Sequence, residues 1–365
     1  MEHCDVLVVG GSVAGASLAI HLGRRGLRTV LFDKARFPRR KACGEGLLPH
    51  GVQALRALGL GDPPGLRVSG LRYIGPSGDS ALGRFDDSGL GPGFMVRREI
   101  FDHWLLNHAR ATPNVEVREQ SEVTKFRVAA DEVEAAGLRA KFIVGADGMR
   151  SIFHRLGSFQ RFHPRRERHG ICTMIRGYPI DDTVDIFLSR NGEAYAGPAG
   201  RGEASLAVLL DRGTTLREFL DVVPALRNVE LVGQSIGASP LGSRVAPIVH
   251  GRALLVGDAA GVVDPISGEG MSLALITARV AAEALQEAIV SGDPRALDRY
   301  AAERRRRMEP ARRLAGLILG VSRYRWLADR AVRRLSRDSA LFNRLLRAAC
   351  GIGQLGLLEP VRLAL

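Results

Sequence analysis

The alternation of apolar and polar positions divides the 365 residues into three textures. Near the N-terminus, short apolar runs alternate with helical stretches. Residues 6–9 are apolar throughout, as a strand buried on both faces requires. Residues 14–25 follow with an apolar stripe at Ala16, Leu18, Ala19 and Leu22, which predicts a packed helix. A second run, residues 29–32, ends on Asp33. Residues 142–144 and 253–256 repeat the buried-strand pattern, and the latter feeds a long helix to about residue 289, with Ala274, Ile276, Ala278 and Ala282 on its packed side. Shorter helices are predicted at residues 51–58 and from Met95 to about Arg110. Between about Phe159 and Val245 the texture changes to β-prone segments (171–175, 183–188, 194–196, 204–210) with Gly, Pro and Asn at the turns. From Pro294 helical spacing returns among arginines, with breaks expected near Pro310 and Gly351.

Glycines crowd the first strand–helix junction, Gly10-Gly11-Ser12-Val13-Ala14-Gly15. Strand, tight turn, helix, strand and acid in this order form the βαβ unit that binds a dinucleotide. Gly10 allows the turn, and Gly15 lets the helix pack close on the strand. The free N–H groups at the helix start, from Ser12, Val13 and Ala14, face the pyrophosphate. Asp33 stands where a carboxylate accepts hydrogen bonds from ribose hydroxyls. The middle glycine of the usual G-x-G-x-x-G is Ser12, whose Cβ needs room in the turn and whose hydroxyl can donate to phosphate. A buried structural βαβ unit without a ligand is the alternative.

The net charge of +13 suggests a nucleic-acid binder until it is located. Residues 299–347 hold fifteen arginines against Glu303, Glu309, Asp329 and Asp338, so one stretch carries most of it. The rest is nearly neutral, and no nucleic-acid partner is expected. Cys4, Cys43, Cys172 and Cys350 are scattered, with neither a disulfide framework nor a metal site in their spacing. With no leader pattern before the first strand and no apolar run of membrane-spanning length, a cytoplasmic protein is expected.

Lys34 to Leu47 is a loop rich in Arg, Lys and Gly, including Lys41-Ala42-Cys43-Gly44-Glu45-Gly46. Further on come Arg98-Glu99-Ile100-Phe101-Asp102, then Gly145-Ala146-Asp147-Gly148, then Gly257-Asp258-Ala259-Ala260-Gly261 and Asp264-Pro265-Ile266-Ser267-Gly268-Glu269-Gly270-Met271. In this order the motifs resemble the FAD-dependent oxidoreductase superfamily that joins aromatic-hydroxylase flavin monooxygenases and geranylgeranyl reductases. The resemblance covers roughly the first 290 residues. It implies an α/β fold: a Rossmann-like FAD-binding domain of the glutathione-reductase type, an inserted, mainly antiparallel β-sheet substrate domain, and a C-terminal helical region. The expected boundaries are 1–67, 96–158 and 246–292 for the first, 68–95 and 159–245 for the second, and 293–365 for the third.

The resemblance also implies the cofactor set. FAD is expected on Gly10, Ser12, Val13, Ala14, Gly15, Asp33, Lys34, Lys41, Cys43, Gly44, Arg98, Asp147, Gly257, Asp258, Pro265, Gly268, Glu269, Gly270 and Met271. NAD(P)H is the expected electron donor, binding without a Rossmann domain of its own. Arg97 competes with Arg98 for the phosphates. Asp258 is expected on the ribityl hydroxyls, and the glycine-rich helix start after it supplies positive potential to the N1–C2=O edge of a reduced flavin. Cys43 and Glu45 are the candidate catalytic residues, with Cys43 equally readable as a small packed side chain. His50 reads as a surface residue at a helix start. Tyr195 and Phe187 read as pocket linings or as ordinary core.

Two enzymes are compatible with these motifs. One is a monooxygenase that hydroxylates or epoxidises an apolar substrate, phenolic, polyketide-like or lipid. The other reduces carbon–carbon double bonds of an isoprenoid. The monooxygenase is favoured narrowly; the loop at Cys43 and the run at Pro265 lean to the reductase. Halogenation is disfavoured because the W-x-W-x-I-P signature is missing. A non-catalytic flavin carrier or redox sensor is a third reading. The basic C-terminal helices are expected either to cap the FAD domain with a solvated face or to contact an anionic membrane. Residues 351–356 spell a literal G-x-G-x-x-G, but no strand precedes it, no acid stands about twenty residues on and there is no room for a βαβ unit, so it is rejected.

Overall fold

The computed structural model describes residues 2–156, 158–164 and 167–353. Its first layer is an eight-stranded sheet. Six strands run in the order Val249–His250, Ala253–Leu255, Leu138–Gly145, Glu2–Val9, Thr29–Phe32 and Val115–Arg118, and Val133–Ala135 and Phe126–Val128 branch from it. Every neighbour in the central run from Ala253–Leu255 to Val115–Arg118 is parallel. Val6 and Val8 face the helices Val13–Gly23, Arg98–Arg110 and Gly270–Ser291, while Leu7 and Val9 face the branch strands and Phe153. Both faces are covered, which is why the first strand is apolar without alternation.

The second sheet has seven strands in the order Glu230–Ala238, Arg168–Arg176, Glu203–Asp211, Gly192–Gly200, Thr183–Ser189, Gly70–Ile74 and Ser80–Arg84. All pairs are antiparallel except Thr183–Ser189 with Gly70–Ile74. Here the side chains alternate. Phe187 packs under helix Leu216–Val222, and Val184, Ile186 and Leu188 face the C-terminal helices.

The C-terminal region corrects one expectation. Helix Leu297–Ser322 runs straight through Pro310. A mid-helix proline costs about 3 kcal/mol in isolation, but Arg304, Met308, Ala311, Leu314 and Ala315 are buried on both sides of it and hold the helix to the body. The breaks fall at Tyr324 and Asp338 instead, with helices Arg325–Arg337 and Ser339–Ala349 following. Gly351, in a left-handed conformation, stands just beyond the last of these. The rejected glycine motif thus begins after a helix rather than a strand, and its residues 354–356 lie outside the described residues.

Candidate active site

The first turn is built by close approach. Gly10 has φ +107°, and a Cβ there would lie 2.4 Å from the Ala146 carbonyl oxygen. A Cβ on Gly15 would lie 1.8 Å from the Gly10 carbonyl oxygen, so any side chain would push the helix off the strand. Ser12 fits, but its hydroxyl is turned away from phosphate duty. It donates to Asp102 Oδ2 at 2.7 Å and accepts from Arg98 Nη2 at 2.8 Å. Arg98 closes a two-pronged pair with Asp102, Nε to Oδ1 and Nη2 to Oδ2, both at 2.8 Å and both residues buried. Arg98 lines the central cavity, whereas Arg97 is paired with Glu99 and 41% exposed, which separates the two arginines.

Asp33 accepts from the Gly11 N–H at 2.7 Å and the Ala35 N–H at 2.8 Å. Arg39, a residue the motifs do not mark, stands 3.8 Å from Asp33 and 3.9 Å from Asp102. Lys34 points outward: its side chain is 74% exposed and faces Glu122.

The loop after Asp33 reaches the cavity. Lys41 stands 3.8 Å from Asp258. Burial pulls its ammonium below the usual lysine range, and Asp258 opposes that. Cys43, Gly44 and Glu45 line the cavity. Glu45 is held at φ +60°, a left-handed conformation that costs a non-glycine residue about 1–3 kcal/mol. Three contacts hold it there. Its carboxylate accepts from the Arg98 N–H at 3.1 Å, its carbonyl from the Val96 N–H at 2.8 Å, and its own N–H donates to Cys43 Sγ at 3.3 Å. Burial raises the Glu45 carboxyl, and the Arg98 N–H partly offsets this.

The other wall starts at Gly257, φ +57°, where a Cβ would come within 2.7 Å of the Ala14 methyl. The first and last glycine turns therefore touch. Gly257, Asp258, Pro265, Gly268, Gly270 and Met271 line the cavity. Their loop is pinned by residues the motifs do not mark. Arg304 donates to the Gly261 carbonyl at 3.0 Å, Tyr195 Oη to the Ile266 carbonyl at 2.7 Å, and Arg168 to Asp264 at 2.7 Å. Arg168 also pairs with Glu193, whose carboxyl burial pushes up to about 7 against the pull of Arg168.

Asp147 stands beside the lining residues Ala146, Gly148 and Met149. Its Oδ2 accepts from the Ile152 N–H at 2.8 Å, while Oδ1 is buried without a partner. Glu269 is buried behind the cavity rather than in its wall. His50 is also buried, contrary to the expected surface position. Helix Pro49–Ala57 starts one residue before it and packs on helix Gly270–Ser291.

The cavity measures about 250 Å³ and lies between the two sheets. One end is the polar cradle just described. The other is walled by Val68, Leu71, Tyr73, Val184, Ile186 and Leu241. Tyr195 belongs to this lining, and Phe187 belongs to the core. The cradle fits FAD. Helices Val13–Gly23 and Gly270–Ser291 start against the cavity with no side-chain cap on their first N–H groups, and Gly10, Gly15 and Gly257 leave no Cβ in the way.

Comparison with known proteins agrees. The family described as "FAD binding domain" matches residues 3–184 and 229–315. The menaquinone reductase of Mycolicibacterium smegmatis is 32% identical over 359 residues, 88% of this chain and 85% of that one. Digeranylgeranylglycerophospholipid reductase 1 of Methanosphaera stadtmanae is 27% identical over 317 residues, 79% and 77% of the two chains. Among solved structures, a geranylgeranyl bacteriochlorophyll reductase-like protein from Thermoplasma acidophilum has TM-score 0.83 at 23% identity, covering 99% of this chain and 97% of that one. The p-nitrophenol 4-monooxygenase of Pseudomonas putida has TM-score 0.79 at 22% identity, covering 100% and 99%. The matched family spans most of the chain and both ends of the cradle, so this protein belongs to the FAD binding domain family and is an FAD-dependent oxidoreductase.

Proposed function

We propose that the protein reduces carbon–carbon double bonds in the prenyl chain of an isoprenoid lipid. The observation that carries this reading is the apolar part of the cavity, walled by Val68, Leu71, Tyr73, Val184, Ile186 and Leu241 and sharing one space with the cofactor cradle. The relatives near or above 30% identity are named as reductases of prenylated lipids or quinones. The monooxygenase reading leans on structures below 25% identity, which speak to the fold alone.

Bound FAD supplies hydride transfer. Around it, the chain's own residues set geometry and dryness. Gly10, Gly15 and Gly257 let main chain close on the phosphates and on each other. Arg98 and Asp102 neutralise one another beneath Ser12, so the cradle offers N–H donors without a buried uncompensated charge. Asp258, with Lys41 beside it, would take the ribityl hydroxyls. Cys43, Gly44 and Glu45 would border the reactive ring. Leu71, Val184, Ile186 and Leu241 exclude water from the substrate chain. NAD(P)H is the proposed electron donor. The substrate would be taken from a membrane: Tyr324 and Trp326 are 50% and 64% exposed beside Arg323 and Arg325. Among the described residues no helix is long and apolar enough to cross one.

Incubation with reduced nicotinamide and a geranylgeranyl ether lipid, followed by mass spectrometry, tests this. The expected product gains one pair of hydrogens per double bond. A product that gains an oxygen atom would replace this reading with the monooxygenase.

A further inference from the structure

The loop from Asp264 to Gly268 lines the cavity and leads into helix Gly270–Ser291. Two ties join it to the substrate sheet. Asp264 caps the short turn Pro265–Ser267, and its Oδ1 serves two donors, the Ile266 N–H at 3.1 Å and Arg168 Nη1 at 2.7 Å. Arg168 opens strand Arg168–Arg176, and its other prong, Nη2, pairs with Glu193 Oε2 on strand Gly192–Gly200. Ser322, the last residue of helix Leu297–Ser322, donates to Glu193 Oε1 at 3.2 Å. Arg168, Glu193 and Ser322 are all buried. The Arg168 carbonyl in turn accepts from the Leu241 N–H at 2.9 Å, and Leu241 belongs to the apolar wall.

The second tie is Tyr195. It lies two residues from Glu193 on the same strand, so both side chains leave the same face of the sheet. Its hydroxyl donates to the Ile266 carbonyl at 2.7 Å. The strand register sets it directly across from Ile186, and its ring packs with the cluster that holds Val184 and Ile186. One side chain therefore belongs to the apolar wall and is hydrogen-bonded to the loop.

We infer that Arg168 and Tyr195 form a clamp that holds this loop, and the helix start behind it, against bound FAD, and that a chain lying on the apolar wall acts on the flavin through Tyr195. Both are positioning residues. The N–H groups at the start of helix Gly270–Ser291 favour the negatively charged, reduced flavin over the oxidised one. That preference falls as the helix start moves away, so a loosened loop binds reduced FAD less tightly and lowers the flavin potential. Only a guanidinium fork grips Asp264 and Glu193 together, because a lysine ammonium is a single point of charge. The occupant of the wall is taken from the reductase reading, whereas the clamp itself does not depend on it.

The test reads the midpoint potential of the FAD-loaded protein by anaerobic dye-coupled titration, in the wild type and in the variants R168K and Y195F. Removing the charge outright would strand Glu193 and Asp264, with Asp211 3.7 Å from the guanidinium as a third carboxylate, so lysine is the informative change. In R168K the affinity for reduced relative to oxidised FAD should fall about tenfold, which lowers the potential by about 30 mV. In Y195F, which loses one hydroxyl and keeps every charge, it should fall about threefold. A diphytanylglycerol ether lipid in detergent, whose saturated chains cannot be reduced, should change the same ratio about threefold in the wild type and leave it unchanged in Y195F. Wild-type potentials in both variants with FAD retained would overturn the clamp, and if R168K loses its FAD, a wild-type potential in Y195F would overturn it alone. A lipid effect of wild-type size in Y195F would overturn the route through Tyr195. A lipid without effect on the wild type, beside lowered potentials in both variants, would support the clamp and count against the reductase reading.

Discussion

The two ends of the cavity are held in opposite ways. The cradle at Gly10, Ser12 and Gly257 is built from backbone approach and from the paired charges of Arg98 and Asp102. The far end is built from apolar side chains. A cofactor with fixed phosphates and hydroxyls suits the first. A long hydrocarbon that must slide and react suits the second. Changes at one end should therefore alter cofactor retention and stability, and changes at the other should alter turnover.

The sharpest break is Gly15→Val. With 1.8 Å to the Gly10 oxygen, no rotamer relieves the clash. The purified protein should carry no flavin absorbance and should lose about 3 kcal/mol or more of stability in denaturant titration. Next is Arg98→Met, which removes the two-pronged partner of the buried Asp102 and leaves it only the Ser12 hydroxyl and the more distant Arg39, and should cost about 3 kcal/mol. Arg98 holds the Asp102 carboxyl below the usual range although burial opposes it. A depressed pKa stabilises the fold above the unfolded value, about 3.9, and that gain fades as pH falls through the folded value. Wild type should therefore lose stability below about pH 4, and Arg98→Met should lose less over the same interval.

At the other end, Val184→Phe should fill the hydrocarbon wall. FAD binding should be unchanged, and kcat/KM for a prenyl lipid should fall about tenfold, near 1.4 kcal/mol. The smallest effect is expected at the surface. Trp326→Ser should weaken binding to vesicles containing phosphatidylglycerol about fivefold, as removal of one exposed aromatic from an interface would. Equal flotation of both proteins would remove the membrane part of the proposal.

These two ends also differ in how far they could be read from the sequence. Gly10, Gly15, Asp33, Gly257 and Asp258 are marked because a dinucleotide turn demands short local spacing. What holds them in place is not local. Arg168 reaches Asp264 across 96 residues, and Arg304 reaches Gly261 across 43. No periodicity announces such pairs. Ser12 shows the limit of a motif: its hydroxyl belongs to the Arg98–Asp102 pair, a use only tertiary contact reveals. His50 reads as exposed because a helix start next to proline normally faces solvent, whereas here it is buried and its helix packs on helix Gly270–Ser291. Pro310 misled for the same reason, since packing on both sides outweighs the missing hydrogen bond.

The most direct measurement is anaerobic. Protein reduced with dithionite is mixed, without oxygen, with a geranylgeranyl ether lipid, and flavin absorbance is followed. The account predicts return of the oxidised yellow spectrum in proportion to lipid added, with saturated chains as product. A flavin that stays reduced until oxygen enters, and then yields a hydroxylated or epoxidised compound, would contradict it.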